Sequence, residues 1–137
     1  MNHLLKSISL IMALTFSSIA SAEIAIIVNK SNTSTLDSKA IAKIFLGKSK
    51  KFPNGETAIP VNQASSAKDE FNEKVLKKTN SQIKAFWSKL IFTGKGTPPK
   101  ELSDNAEVKK LIANNPNLIG YIDANSVDDT VKVALKL

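Results

Sequence analysis

The sequence contains no cysteine and no arginine, and its one histidine and two methionines all lie within the first 12 residues. Without cysteine the chain can form no disulfide, no thiol nucleophile and no thiolate zinc site. Beyond His3, an imidazole base working near neutral pH is excluded as well. The active sites of the common hydrolases and the common zinc sites are therefore excluded. Catalysis by carboxylate, lysine or hydroxyl groups is still possible. We expect a protein that is not an enzyme and has no cofactor or metal.

All of the basic charge is lysine: 19 lysines stand against 12 acidic residues, for a formal net charge of +7. This excess favours anionic partners, although lysine offers a mobile point charge where arginine offers a bidentate fork. A solvated basic surface explains the same excess without any ligand. We expect no nucleic-acid partner. A general polyanion binder is a weaker alternative, and its affinity would fall steeply with salt for any sequence.

Residues 1–22 have the three regions of a secretory signal peptide. Lys6 supplies a positive start, and residues 8–16 form an apolar stretch too short to span a bilayer. Small residues follow, and Ala20 and Ala22 fit the small-x-small pattern of a cleavage site. The alternative is a buried N-terminal helix. We predict a cleaved signal peptide, a periplasmic protein without a membrane anchor, and one domain over residues 23–137.

Strand and helix patterns alternate along residues 23–137, with no internal repeat. Short β-branched runs predict strands, and apolar residues three or four apart predict helices. Such alternation favours a layered α/β sandwich. The predicted strands are 24–28, 57–61, 118–122 and 131–135, and the predicted helices are 38–45 after an Asp37 cap, one from about residue 66, 81–92, and one capped by Asp104.

The helix over 81–92 shows the clearest apolar spacing. Trp87 lies in the stripe of apolar residues spaced i, i+3 and i+4, so we expect it to be buried in the core. The alternative is a surface platform for a ligand. The stripe consists of Ile83, Phe86, Trp87, Leu90 and Ile91.

Two other motifs are interpreted as loops. The run 94–97, Gly-Lys-Gly-Thr, lacks the spacing of a phosphate loop, and two prolines directly behind it prevent a helix from starting there. Asp128 and Asp129 lack the spacing of a calcium loop and predict a turn before the last strand.

The junction between the second strand and the next helix is the candidate binding site. A helix N-terminus presents unpaired N–H groups and partial positive charge, which can hold an oxyanion. Ser65 and Ser66 would add hydroxyls, Ala67 a backbone N–H, and Lys68 a formal charge. The alternative needs no ligand: Ser66 and Asp69 have the spacing of a capping box.

Several stretches, in order, resemble the phosphate ABC-transporter substrate-binding proteins. They are IFLGK at 44–48, FPNG at 52–55, IPV at 59–61, FW at 86–87, IFTGKG at 91–96 and IGYI at 119–122. The resemblance implies a type 2 periplasmic-binding fold, of which this chain is similar to the second lobe, a three-layer αβα sandwich. It also implies phosphate or another small oxyanion as ligand, and a transporter or other periplasmic protein as partner.

The family's Ser-Gly-Thr phosphate turn falls on Ser65, Ser66 and Ala67, so that only the first serine is kept. The arginine and aspartate that precede the turn in the family are absent from residues 61–64, Val-Asn-Gln-Ala. Half a cleft also buries less of a ligand than two closed lobes. Three hypotheses therefore stay open: an oxyanion-binding module, a protein-interaction module that keeps the lobe fold without phosphate, and an enzyme acting on phosphate esters.

Overall fold

The computed structural model describes residues 23–137, so the predicted signal peptide lies outside the described residues. Five strands and four α-helices alternate along this part of the chain, together with one π-helical and one 3₁₀ segment. The elements are β1 (Ile24–Val28), α1 (Ser38–Phe45), β2 (Ile59–Gln63), α2 (Ala67–Phe71) with its π-helical continuation (Asn72–Leu76), α3 (Asn80–Phe92), β3 (Lys100–Leu102), α4 (Asn105–Ala113), β4 (Leu118–Asp123), the 3₁₀ segment (Ala124–Ser126) and β5 (Lys132–Lys136).

The strands form one mixed sheet in the order β3-β2-β4-β1-β5. β2 runs parallel to both β3 and β4, whereas β1 is antiparallel to β4 and β5. The carboxyl ends of β2, β3 and β4 consequently meet at one edge of the sheet. This is the edge of open α/β sheets at which ligands tend to bind.

Both faces of the sheet are covered, which confirms the predicted layered α/β sandwich. In β1, Ile24 and Ile26 pack on the face that carries α1 and α2, and Ala25 and Ile27 on the face that carries α4. All five residues of β1 are buried, as expected for a strand between two helical layers. The continuous β-branched run at 24–28 therefore marks the centre of the fold.

Local capping sets the limits of two helices as predicted. The Asp37 carboxylate accepts a hydrogen bond of 2.7 Å from the Ala40 N–H at the start of α1. Gly47, with φ of 72°, follows the last turn of that helix in the left-handed conformation that favours glycine. Asp104 caps α4 through the Glu107 N–H at 2.9 Å.

The predicted apolar stripe of α3 is only partly buried. Ile83 and Trp87 pack with Leu46 in a small cluster of their own, which confirms Trp87 as a core residue. Ile91 is 54% exposed and Phe92 93% exposed, so that the prediction of a buried Ile91 is wrong. The reason is that α3 packs against the segment after α1 through its first turns, and its last turn extends beyond that support.

Three strand predictions also differ from the structure. β2 begins at Ile59, two residues later than predicted, and β5 at Lys132, one residue later. β3 was not predicted at all, because three residues that include Lys100 and Glu101 show no apolar alternation. Within residues 23–137, none of the helices combines the length and the apolar character that crossing a membrane requires.

Candidate functional site

The turn from β2 into α2 brings the four predicted site residues together. The Ser65 hydroxyl donates to Gln63 Oε1 and accepts a bond of 3.3 Å from the Ala67 N–H. The Lys68 N–H donates to the Ser65 carbonyl at 3.0 Å. The first N–H groups of α2 are therefore already satisfied within the turn.

The predicted capping box at Ser66 is wrong. Ser66 has helical backbone angles, φ of −59° and ψ of −21°, and makes no side-chain cap bond, while Asp69 accepts a bond of 2.6 Å from the Asn80 amide. Ser65 supplies the cap in its place, since its hydroxyl is the group that accepts from the Ala67 N–H. Ser66 is exposed, and its hydroxyl makes no bond to the helix terminus.

Lys68 is paired with a carboxylate that the sequence did not indicate. Its Nζ lies 2.9 Å from Glu101 Oε2, and the two side chains are 31% and 48% exposed. Glu101 reaches this position because it stands opposite Asn62 in the β2–β3 pairing. The site therefore contains a positive and a negative group side by side.

A buried polar network lies beneath the turn. The Tyr121 hydroxyl donates to Asn62 Oδ1, and the Gln63 N–H donates to the Tyr121 hydroxyl at 3.4 Å. The fully buried Gln63 amide donates to the Tyr121 carbonyl at 2.6 Å and to Asn105 Oδ1 at 3.0 Å. These bonds fix β2 and β4 at the edge where the turn begins. Sequence reasoning missed Gln63 and Tyr121, whose only signal was a polar residue at the end of an apolar strand.

Burial raises the pKa of Tyr121 well above its ordinary value, despite the opposing hydrogen bond from the Gln63 N–H. The phenol is therefore a hydrogen-bond donor throughout the physiological pH range and has no access to phenolate chemistry. Its role in this network is to hold Asn62.

A cleft of about 500 Å³ opens beside the turn, between the sheet edge and α3. Lysine and amide side chains line it together with Trp87 and two prolines. Within residues 23–137, no cluster of acidic residues is arranged to hold a metal ion. The lysine and amide groups of the cleft can donate to an anion, although the Glu101 carboxylate also lines the cleft. Its lining consists of Asn62, Lys68, Asn72, Asn80, Ile83, Lys84, Trp87, Pro98, Pro99 and Glu101.

Neither a protein-family model nor a curated protein matches the sequence. Solved structures do match the fold. A protein from Clostridium perfringens described as a phosphate ABC transporter substrate-binding protein, solved with bound phosphate, is 24% identical with a TM-score of 0.64, over 82% of this chain and 44% of its own. An ABC-type phosphate transport receptor from Vibrio cholerae is 20% identical with a TM-score of 0.63, over 82% and 46%.

PstS from Borrelia burgdorferi gives a TM-score of 0.59 at 16% identity, over 82% of this chain and 47% of its own. The chain thus spans less than half the length of each of these structures. It has the α/β fold of a lobe of the phosphate-binding proteins, as the resemblance of the sequence implied. These neighbours are binding proteins, not enzymes.

Proposed function

We propose that the chain is a non-catalytic periplasmic binding module whose ligand is phosphate or a related small oxyanion, held at Ser65, Ser66, Ala67 and Lys68. The anion would replace the Ser65 hydroxyl as acceptor for the Ala67 N–H and the Glu101 carboxylate as partner of Lys68. The observation that carries the proposal is the position of Lys68. It lies on the turn at the carboxyl edge of the sheet and lines the cleft, in a fold shared with a protein solved with bound phosphate. A phosphate transporter or another periplasmic protein is its proposed partner.

The Lys68–Glu101 pair does not prevent this function. A partly exposed ion pair contributes only about 0–1 kcal/mol, so a doubly charged oxyanion can replace Glu101 as the partner of Lys68. Glu101 nevertheless repels the anion, and the site lacks the arginine fork that holds phosphate firmly. The described lobe therefore binds phosphate weakly, and completion of the cleft by a partner would strengthen binding.

The test is a calorimetric titration of the protein with phosphate and sulfate at moderate salt. Glu101→Gln removes the competing carboxylate and keeps the shape of the side chain. We expect it to raise phosphate affinity about fivefold, equivalent to about 1 kcal/mol. The double variant Ser65→Ala, Lys68→Ala should abolish saturable heat while leaving the circular dichroism spectrum unchanged.

Lys136→Ala is the matched control, because Lys136 also pairs with a glutamate, Glu23 at 3.4 Å, but lies on β5 away from the cleft. It should leave phosphate binding unchanged. Equal binding by the parent protein and the Ser65, Lys68 double variant would refute the site. A loss caused equally by Lys136→Ala would show that net charge alone attracts the anion.

The alternative, a protein-interaction module without a phosphate ligand, is favoured by a second feature. An apolar groove of about 410 Å³ is lined partly by Ile59 and Leu111, which are 45% and 36% exposed. Exposed apolar surface of this kind marks protein contacts. Absence of anion heat in the parent protein and in Glu101→Gln would favour this function over phosphate binding.

A further inference from the structure

The residues between Glu73 and Glu101 carry charge of one sign only. Residues 74–100 contain seven lysines and neither aspartate nor glutamate. Lys84, Lys89 and Lys95 are exposed, and they take part in none of the four ion pairs found within residues 23–137. α3 contains two of these lysines, Lys84 and Lys89, and Lys95 lies three residues after its end, so that the charged side chains of this helix are all positive.

The exposed side of α3 combines this charge with an aromatic residue. Phe92 is 93% exposed, although burying a phenylalanine side chain is worth about 1.5–3 kcal/mol. At 100° per residue, Lys84 and Lys89 lie within about 80° of Phe92, on either side of it. Between them the helix presents only small, exposed residues, Ser81, Ala85 and Ser88. The buried Ile83 lies on the opposite side.

We propose that this side of α3, from Ser81 to Phe92, docks on an anionic lipid bilayer, with Phe92 entering the headgroup region. Flanking lysines keep their charged ends at the lipid phosphates while their stems follow the apolar surface. Each lysine near an anionic membrane contributes about 1 kcal/mol. This face shares Lys84 with the lining of the cleft, but it contains none of the residues proposed to hold phosphate, so the inference does not rest on phosphate binding.

The residue types favour lipid over a protein partner for this face. Protein interfaces are enriched in arginine and aromatic residues and depleted of lysine. Here every cation is lysine, and the apolar contribution is a terminal Phe92 with the half-exposed Ile91, not a contiguous patch. Lipid headgroups need only point charges and a shallow apolar anchor, which is what this face provides.

A local probe tests the proposal in the full chain. Phe92→Trp places an indole at the expected depth, and the matched control Val133→Trp places one on the exposed β5, where Val133 is 39% exposed. Both are mixed with phosphatidylcholine vesicles, with and without phosphatidylglycerol, carrying brominated acyl chains that quench indoles on contact. The native Trp87 is only 7% exposed and provides the common background. If another part of the chain contacts the membrane, it does so equally in both variants, so a difference in quenching reports only the position of the new indole.

We expect quenching and a blue shift for Phe92→Trp on anionic vesicles only, and neither for Val133→Trp. Adding Lys84→Gln and Lys89→Gln to Phe92→Trp should weaken vesicle binding about thirtyfold, at about 1 kcal/mol per lysine. The control pair Lys30→Gln, Lys136→Gln removes the same charge and should change vesicle affinity by less than about threefold. Lysines away from the bilayer attract it only at long range, where salt screens the interaction.

Three outcomes would overturn the proposal, provided that circular dichroism shows each variant folded. The first is equal quenching of the Phe92→Trp and Val133→Trp indoles. The second is equal weakening by the two lysine pairs. The third is no quenching of the Phe92→Trp indole on any vesicle, which would leave an acidic protein as the remaining partner for this face.

Discussion

Tyr121 is the single tyrosine of the chain, and its hydroxyl is committed to Asn62 at the edge of the candidate site. Burial favours the neutral phenol in the folded state and raises its pKa above the ordinary value of 10.0. The stability that this preference contributes is therefore fully present below about pH 10 and declines as the pH rises, because the unfolded chain ionises first.

We predict that absorbance at 295 nm, which reports phenolate, shows no ionisation of the folded protein near pH 10. In concentrated urea the same titration should show an ordinary step at about pH 10. Tyr121→Phe removes the signal and serves as the blank. An ordinary step in the folded protein would mean that the hydroxyl is open to solvent and that Asn62 is not held by it.

At the residue scale, the sequence predicts a site at the turn into α2 but does not indicate the carboxylate that lies beside Lys68. Ser65, Ser66, Ala67 and Lys68 lie together because they are consecutive, and a strand followed by a helix predicts such a turn. Glu101 is 33 positions away from Lys68, and its approach depends on the pairing of β3 with β2. No local pattern marks a three-residue strand, so the ion pair was not predictable.

The contact of α4 with the sheet rests on Gly120 in β4. A Cβ at this position would lie 2.9 Å from Val108 Cγ1 and 3.0 Å from both Ile112 Cδ1 and Val61 Cγ2. Real Cβ atoms hardly ever come so close, and the neighbours are themselves buried. The glycine is therefore required by packing between helix and strand.

We predict that Gly120→Ala lowers the free energy of unfolding by about 1–3 kcal/mol, the usual range for overpacking a core. Urea denaturation measures the change. Gly120→Ala combined with Val108→Ala should recover part of the loss, because the smaller side chain removes the shortest contact. An unchanged midpoint for Gly120→Ala would show that α4 moves away from the sheet without cost.

Among the elements, those with strong local patterns were predicted well. β1 has the predicted limits, and α1 begins after the Asp37 cap. The π-helical turn after α2 was not predicted, since Phe71 and Val75 have the spacing of an ordinary helix and are both buried. The exposure of Ile91 depends on how far α3 extends beyond its support, which is a tertiary property.

For the whole molecule, the distribution of buried side chains predicts unequal local stability. The sheet is held by two large clusters, one on each face, whereas α3 is held mainly by a cluster with three buried members, Leu46, Ile83 and Trp87. Elements with few buried apolar contacts open at lower free energy than the core strands.

We predict that hydrogen exchange under native conditions is at least about 100-fold faster for amides in the last two turns of α3 than for those of β1 and β4, in line with a difference in opening free energy of a few kcal/mol. Trp87→Ala should speed exchange in α3 further with little effect on β1. Equal protection of α3 and the sheet would show that the described residues unfold as one cooperative unit.

The pairing of β1 with β5 also determines how the molecule responds to force. Ile24 and Leu137 exchange two backbone hydrogen bonds of 2.9 Å, so the two ends of the described segment are adjacent. In an antiparallel pair these bonds lie perpendicular to the strands. Tension applied at residues 23 and 137 therefore loads one pair of bonds at a time and peels β5 from β1. The protein should be mechanically soft along this line, even though β1 is its best-buried strand.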